Sequence, residues 1–252
     1  MNLIIFITII LSFLAGTAIY FISNYKIKSL PYFWHGIGKL SLKEIIKVIF
    51  VSIFNSFIVL QFLKHILFEN DNYDLITRVI ILIVSLVILE LLVYLALADL
   101  RTMTIPYNLT LFLIILLFII NITLILTMGL NSQILLWGNN AFTPLYNLIG
   151  GFVGGLIIGF IVFISKEELM GEGDIYLFAT LGLILGIQRF IAGFYITIFT
   201  ACIAGIAWAI AKGKFKGVKM PLVPFIVIGI IFTLLYWAEV SSFMLSFFSV
   251  SL

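Results

Sequence analysis

The sequence predicts an all-α membrane protein, a polytopic bundle of about eight transmembrane helices. Three observations predict it. Of the 252 residues, 63% are hydrophobic and only 10% are charged, whereas soluble domains average about 45–50% apolar and about 25% charged. The apolar residues are gathered into runs near the roughly 17–25 that cross a bilayer as helix. Within those runs they are continuous, without the period-two alternation of a transmembrane barrel.

The runs follow in order near 2–23, 46–67, 78–98, 108–128, 146–165, 174–188, 191–211 and 222–248. The first has no basic residues ahead of it and continues to Ile22, so it reads as a retained span rather than a cleaved leader. In the fifth, Gly150, Gly151, Gly154, Gly155 and Gly159 form a small-residue stripe, which predicts close packing against a neighbouring helix. The sixth is short enough to be tilted or partly re-entrant. Cys202, the single cysteine, lies inside the seventh run and is expected to be a small buried hydrophobe; one cysteine gives no disulfide and no cysteine metal site within a chain. His35 and His65 lie thirty residues apart without ligand partners nearby and are read as non-ligands.

Basic residues orient the bundle. Lys26, Lys28, Lys39, Lys43 and Lys47 lie between or near spans one and two, Arg101 follows span three, Lys166 follows span five, and Lys212, Lys214, Lys216 and Lys219 separate spans seven and eight. These are eleven of the fourteen Lys and Arg residues. Lys64, Arg78 and Arg189 fall on the other side, with Glu69, Asp71 and Asp74. By the positive-inside rule the first side is cytoplasmic and both termini lie outside; the plasma (inner) membrane is the expected location. The lysines at 212–219 can also meet anionic lipid headgroups.

Two acids stand at the edges of apolar runs, where charge is expensive. Asp99 closes an inward-running span, and Asp174 opens an outward-running one. Both therefore face the cytoplasmic membrane surface. Asp99 precedes Ile105-Pro106, a shaped turn before span four, since proline sets the preceding residue extended and fits a helix opening. Asp174 ends Gly171-Glu172-Gly173-Asp174, where glycine permits close approach by another chain and the acid suits a helix N-terminus. A third acid, Glu90, lies within span three, about 13 Å along the helix from Asp99. A neutral, hydrogen-bonded structural role is expected for it.

Asp99 to Pro106, Met170 to Asp174, and Lys219-Met-Pro-Leu-Val-Pro-Phe225 occur in order and on one predicted side. Together they resemble the type IV prepilin peptidase (prepilin leader peptidase) family, GxGD-type intramembrane aspartic proteases, over about residues 90–230. Lys166-Glu167 and Leu181-Gly182 to Leu185-Gly186 add to the likeness. The resemblance implies a membrane endopeptidase that removes the basic leader from type IV prepilins or pseudopilins at the cytoplasmic face. It implies Asp99 and Asp174 as the catalytic pair, with Ile105, Pro106, Gly171, Gly173, Pro221 and Pro224 shaping the active site and its substrate path. Two close carboxylates do not both ionise readily, so one can activate water while the other holds a proton for the carbonyl and the leaving amine. The peptidase needs no cofactor and no metal site is expected. The implied partners are prepilins or pseudopilins, the pilus or secretion assembly machinery, and membrane lipid; no nucleic-acid partner is expected.

The chain departs from that pattern twice. Residues 24–44 lack the Cys-x-x-Cys pairs that bind zinc in many bifunctional members, although Ser12 to Tyr20 and Lys39 to Glu44 still resemble the surrounding segments. N-methylation of the new pilin terminus therefore loses its zinc knuckle, and S-adenosylmethionine enters only with a retained methyltransferase; Glu44 reads as a helix N-terminal anion or a functional carboxylate. Tyr176 stands where the family usually has Lys. The expected organisation is a shortened N-terminal region, 1–75, and a peptidase core, 76–252. The alternatives are an archaeal preflagellin-type peptidase, which shares both motifs and lacks the cysteine loop, and a non-enzyme, an ion-coupled transporter using the Asp pair.

Overall fold

The computed structural model describes residues 12, 14–18, 42–63, 75–130, 133–137, 140–167, 170–213 and 220–249. Most of the expected first span, the loop residues 24–41, His35, His65 and the lysines at 214, 216 and 219 lie outside the described residues, and so does the side chain of Glu44. The described residues are predominantly helical, as the composition predicts. The chain divides into two compact units, Met1–Ala98 and Asp99–Leu252.

In the first unit residues 14–18 are helical, followed by α1 (Leu42–Leu63) and most of α2 (Leu75–Thr102). The unit has a buried polar seam. Ser12, Ser52, Asn55 and Ser56 are all buried, and a Cβ on Gly16 would lie 3.1 Å from the Ser52 α-carbon, so the backbones approach closely. Asn55 Nδ2 donates to Glu90 Oε1 at 2.8 Å and to the Ser12 carbonyl at 3.2 Å. Glu90 is thus hydrogen-bonded by a neighbouring helix, as expected of an acid within a span.

The second unit holds the end of α2 and α3 (Tyr107–Met128), a short antiparallel hairpin of β1 (Ile134–Trp137) and β2 (Asn140–Phe142), then α4 (Pro144–Ser165), α5 (Glu172–Lys212), α6 (Val223–Leu235) and α7 (Trp237–Ser249). Pro106 caps α3 with an extended ψ of 96°, and its carbonyl accepts the first-turn N–H groups of Leu109 and Thr110. The hairpin is not foreseen by an all-helical reading; it occupies the polar connection between two spans.

Among the described residues four helices are long and apolar enough to cross a membrane: Val79–Thr102, Tyr107–Met128, Pro144–Ser165 and Glu172–Ala211. The last is not one rod. Gly186 has φ 73° and ψ 163°, a left-sided φ that glycine tolerates. Phe178 and Phe194 are sixteen residues apart, which along a straight helix is about 24 Å, yet their ring centroids lie 5.5 Å apart. The chain therefore turns back at Gly186. The two halves correspond to the sixth and seventh expected spans, with the reversal a few residues earlier than the sequence placed it.

The last run departs further from expectation. Instead of one span over 222–248, α6 and the segment Trp237–Met244 meet at 92°. The break falls at Tyr236, and Glu239 lies in the first turn of α7. A straight helix would carry that acid inside its apolar run, where charge is costly; the bend takes it out of line.

The core of this unit is α4 against the first half of α5, the most extensively packed pair, with α3 and α6 on α5. The glycine stripe explains the packing. A Cβ on Gly182 would strike the Gly150 carbonyl, and one on Gly154 would strike that of Phe178. Gly151 sits on Leu183. Gly155 and Gly159 would make only ordinary contacts, at 3.5 and 3.9 Å, so they form the loose edge of the stripe. Phe152, Leu156, Phe160 and Phe163 point outward and are exposed, giving α4 an apolar outer face suited to lipid. Cys202 is also exposed, contrary to the expectation of burial. It lies beside exposed Phe199, Ile203 and Ile206 on the outer face of α5. These surfaces and spans make the chain a multi-pass membrane protein.

Candidate active site

The end of α2 brings Asp99 into the second unit, where the residue is only 5% exposed. Asp99 Oδ2 accepts the backbone N–H of Val223 at 2.9 Å, with the backbone N–H of Leu222 near the same carboxylate. Val223 opens α6 and Leu222 is its N-cap. The acid from α2 therefore satisfies a helix-start N–H group, that of Val223, which has no partner within α6, and the positive end of the helix favours a carboxylate there. Neither residue was singled out from the sequence. A backbone donor leaves no side-chain signature, although the flanking Pro221 and Pro224 marked the segment.

Asp174 is in the first turn of α5. Its Oδ2 accepts the Gly171 N–H at 3.0 Å, and its own N–H returns a bond to the Gly171 carbonyl at 3.0 Å. This reciprocal cap fixes the carboxylate at the helix mouth. Asp174 is half-buried and lies within Coulomb reach of Asp99. The two acids, 75 positions apart in sequence, thus share one site.

The flanking residues divide by role. A Cβ on Gly173 would come to 2.9 Å from Ile105 Cδ1, so the glycine lets the Ile-Pro turn seat against the start of α5. Pro106 begins α3. Pro221 is buried, and Pro224 lies in the first turn of α6. Gly171 is different. It is exposed, with an ordinary extended φ of −87°, and nothing lies within 4 Å of where its Cβ would be. The expectation of a close-approach glycine holds at Gly173 and not at Gly171.

Tyr176 pairs with Tyr107 at the start of α3. The rings meet edge to face at 5.4 Å, which brings the two hydroxyls near one another. The pair ties α5 to α3 one turn beyond Ile105. Among the described residues there is no group of three or more His, Cys, Asp or Glu able to hold a metal ion.

Chemically, the arrangement offers two carboxylates near enough for the charge on Asp99 to act on Asp174, one supported by a foreign helix start and one by its own. Such a pair can share a proton and a water molecule.

Known proteins match the same segment. The model of the type IV leader peptidase family matches residues 86–210, which include both acids. A prepilin leader peptidase/N-methyltransferase of Bacillus subtilis (strain 168) is 31% identical over 96 residues. That alignment covers 38% of this chain and 38% of the relative, so the chain spans well under half of the curated relative it matches. No solved structure matches the chain. Residues 86–210, the stretch that holds Asp99, Asp174 and the packed α3–α4–α5 core, are thus the part of the chain that is similar to the type IV leader peptidase family.

Proposed function

We propose that this chain is an aspartic endopeptidase that cleaves the basic leader from type IV prepilins or pseudopilins at the cytoplasmic face of the plasma membrane. The observation that carries the reading is the meeting of Asp99 and Asp174 in one site, with Ile105 seated on Gly173, inside the family-matched segment. In this reading one carboxylate removes a proton from water. The water oxygen bonds to the scissile carbonyl carbon while the other carboxyl group donates a hydrogen bond to the carbonyl oxygen. The C–N bond then breaks and the leaving amine takes a proton from the dyad. The proton belongs to the pair rather than to either member.

A prepilin carries its leader ahead of a hydrophobic helix, so its scissile bond reaches the membrane surface. The lysine asymmetry supports the cytoplasmic side for that surface. The shortened loop before α1 does not supply zinc cysteines, so the reading stops at cleavage and includes no methyl transfer from S-adenosylmethionine. Pilus or secretion machinery enters as the consumer of the mature subunits.

The test is co-expression with a prepilin. Wild type removes the leader, and Asp99→Ala and Asp174→Ala each abolish removal. Full processing by either variant overturns the dyad. The mass of the mature N-terminus reports methylation, and an unmodified amine is expected.

A further inference from the structure

The segment Pro221-Leu222-Val223-Pro224 opens α6 and carries four residues but only two backbone N–H groups, because proline has none. The Val223 N–H bonds to Asp99 Oδ2 at 2.9 Å, and the Leu222 N–H lies near the same carboxylate. The next N–H, of Phe225, is returned to the Leu222 carbonyl at 3.1 Å. The one bond observed and its neighbouring donor are thus both at a single carboxylate, and the prolines remove the competing donors on either side. Pro221 and Val223 are both buried, so water does not replace this bond.

We infer that the Pro-Leu-Val-Pro segment is a backbone clamp that positions Asp99, with Val223 as a positioning residue acting through its N–H rather than its side chain. The inference rests on the reading of Asp99 as a member of the hydrolytic pair. The clamp fixes which way the Asp99 carboxylate faces relative to Asp174, the titratable group that faces it. It assigns the prolines an indirect part in the chemistry: they act through Asp99 and need not touch substrate. A hydrogen bond to a carboxylate at a buried helix start is among the stronger kinds, so its loss should be visible in the chemical step.

The donor can be removed without altering the side chain. Nonsense suppression at position 223 with the α-hydroxy analogue of valine replaces the amide by an ester, and valine restored by the same route is the control. The full chain, reconstituted in nanodiscs with a prepilin, is expected to lose about ten- to hundredfold in kcat, with KM within about twofold. The acidic limb of the kcat profile should move to higher pH, because a carboxylate that has lost a donor ionises less readily. A misfolded fraction would lower the apparent kcat without moving the limb. An ester chain with the control's kcat and pH profile overturns the clamp. A second measurement uses thermal stability alone. Asp99→Asn keeps an acceptor for the Val223 N–H and should melt above Asp99→Ala; equal melting of the two also overturns the clamp. Failure of the broader reading looks different: Asp99→Asn would then still process leaders.

Discussion

Ile105 rests on Gly173, with 2.9 Å between its Cδ1 methyl and the place a Cβ would occupy. The contact joins the Ile-Pro turn after α2 to the glycine-aspartate start of α5, the two segments that flank Asp99 and carry Asp174. Gly173→Ala should therefore push the turn away. The expected cost is about 1–2 kcal/mol of stability and about ten- to hundredfold in leader processing, since small displacements of reacting groups are expensive. Ile105→Val deletes the opposing methyl, and the double variant should recover most of the processing. A double variant no better than Gly173→Ala would show that the loss does not arise from this contact.

The glycine stripe makes a contrast within one helix pair. At Gly182 an added Cβ would meet the Gly150 carbonyl, and a backbone oxygen cannot rotate aside. Gly182→Ala should lower the melting temperature severely or prevent assembly in detergent. Gly155→Ala and Gly159→Ala face open or ordinary contacts and should change stability by about 0.5 kcal/mol or less. Equal effects at Gly182 and Gly159 would refute the close backbone crossing of α4 and α5.

Much of this architecture is legible in the sequence because it is written in side chains. The apolar runs mark the spans, the glycines at 150, 151 and 154 mark the tight crossing, and Asp99 and Asp174 mark the site. What stayed hidden depends on backbone or on distance. The reversal in α5 needs one residue at φ 73°, and Gly186 looks like any other glycine in that run. The 92° break after α6 has no proline or glycine beside Tyr236; only Glu239 hints at it. Val223 contributes an N–H that every non-proline residue owns. Asn55 and Glu90 meet across 35 positions, and no periodicity connects them.

Tyr176 and Tyr107 share an edge-to-face contact that brings their hydroxyls near one another. Tyr176→Phe and Tyr107→Phe each remove one hydroxyl while keeping the rings, and so test whether the two hydroxyls bond to each other. Each is expected to cost about 0.5–1.5 kcal/mol, and the double variant should cost no more than either alone. Additive losses in thermal unfolding would mean that each hydroxyl has its own partner. Tyr176→Lys, which restores the residue usual in the resembling family, loses the ring contact as well and should be the least stable of the set.

The bond between Asn55 and Glu90 is a test of whether an acid inside a span is structural. Glu90→Gln preserves an acceptor for Asn55 Nδ2, which lies 2.8 Å from Glu90 Oε1, and it removes the titrating group. Its stability should stay within about 0.5 kcal/mol of wild type. Asn55→Leu leaves the buried carboxyl group without its donor. Interhelical polar bonds in membranes are worth about 0.6 kcal/mol on average, but here Glu90 Oε2 already has no partner among the described residues, so the loss should reach about 1–3 kcal/mol. Glu90→Leu with Asn55→Leu removes both polar groups and should lie between the two. Leader processing should survive Glu90→Gln, because the proposed chemistry uses only Asp99 and Asp174. A processing-dead Glu90→Gln chain that melts like wild type would instead make Glu90 a functional acid.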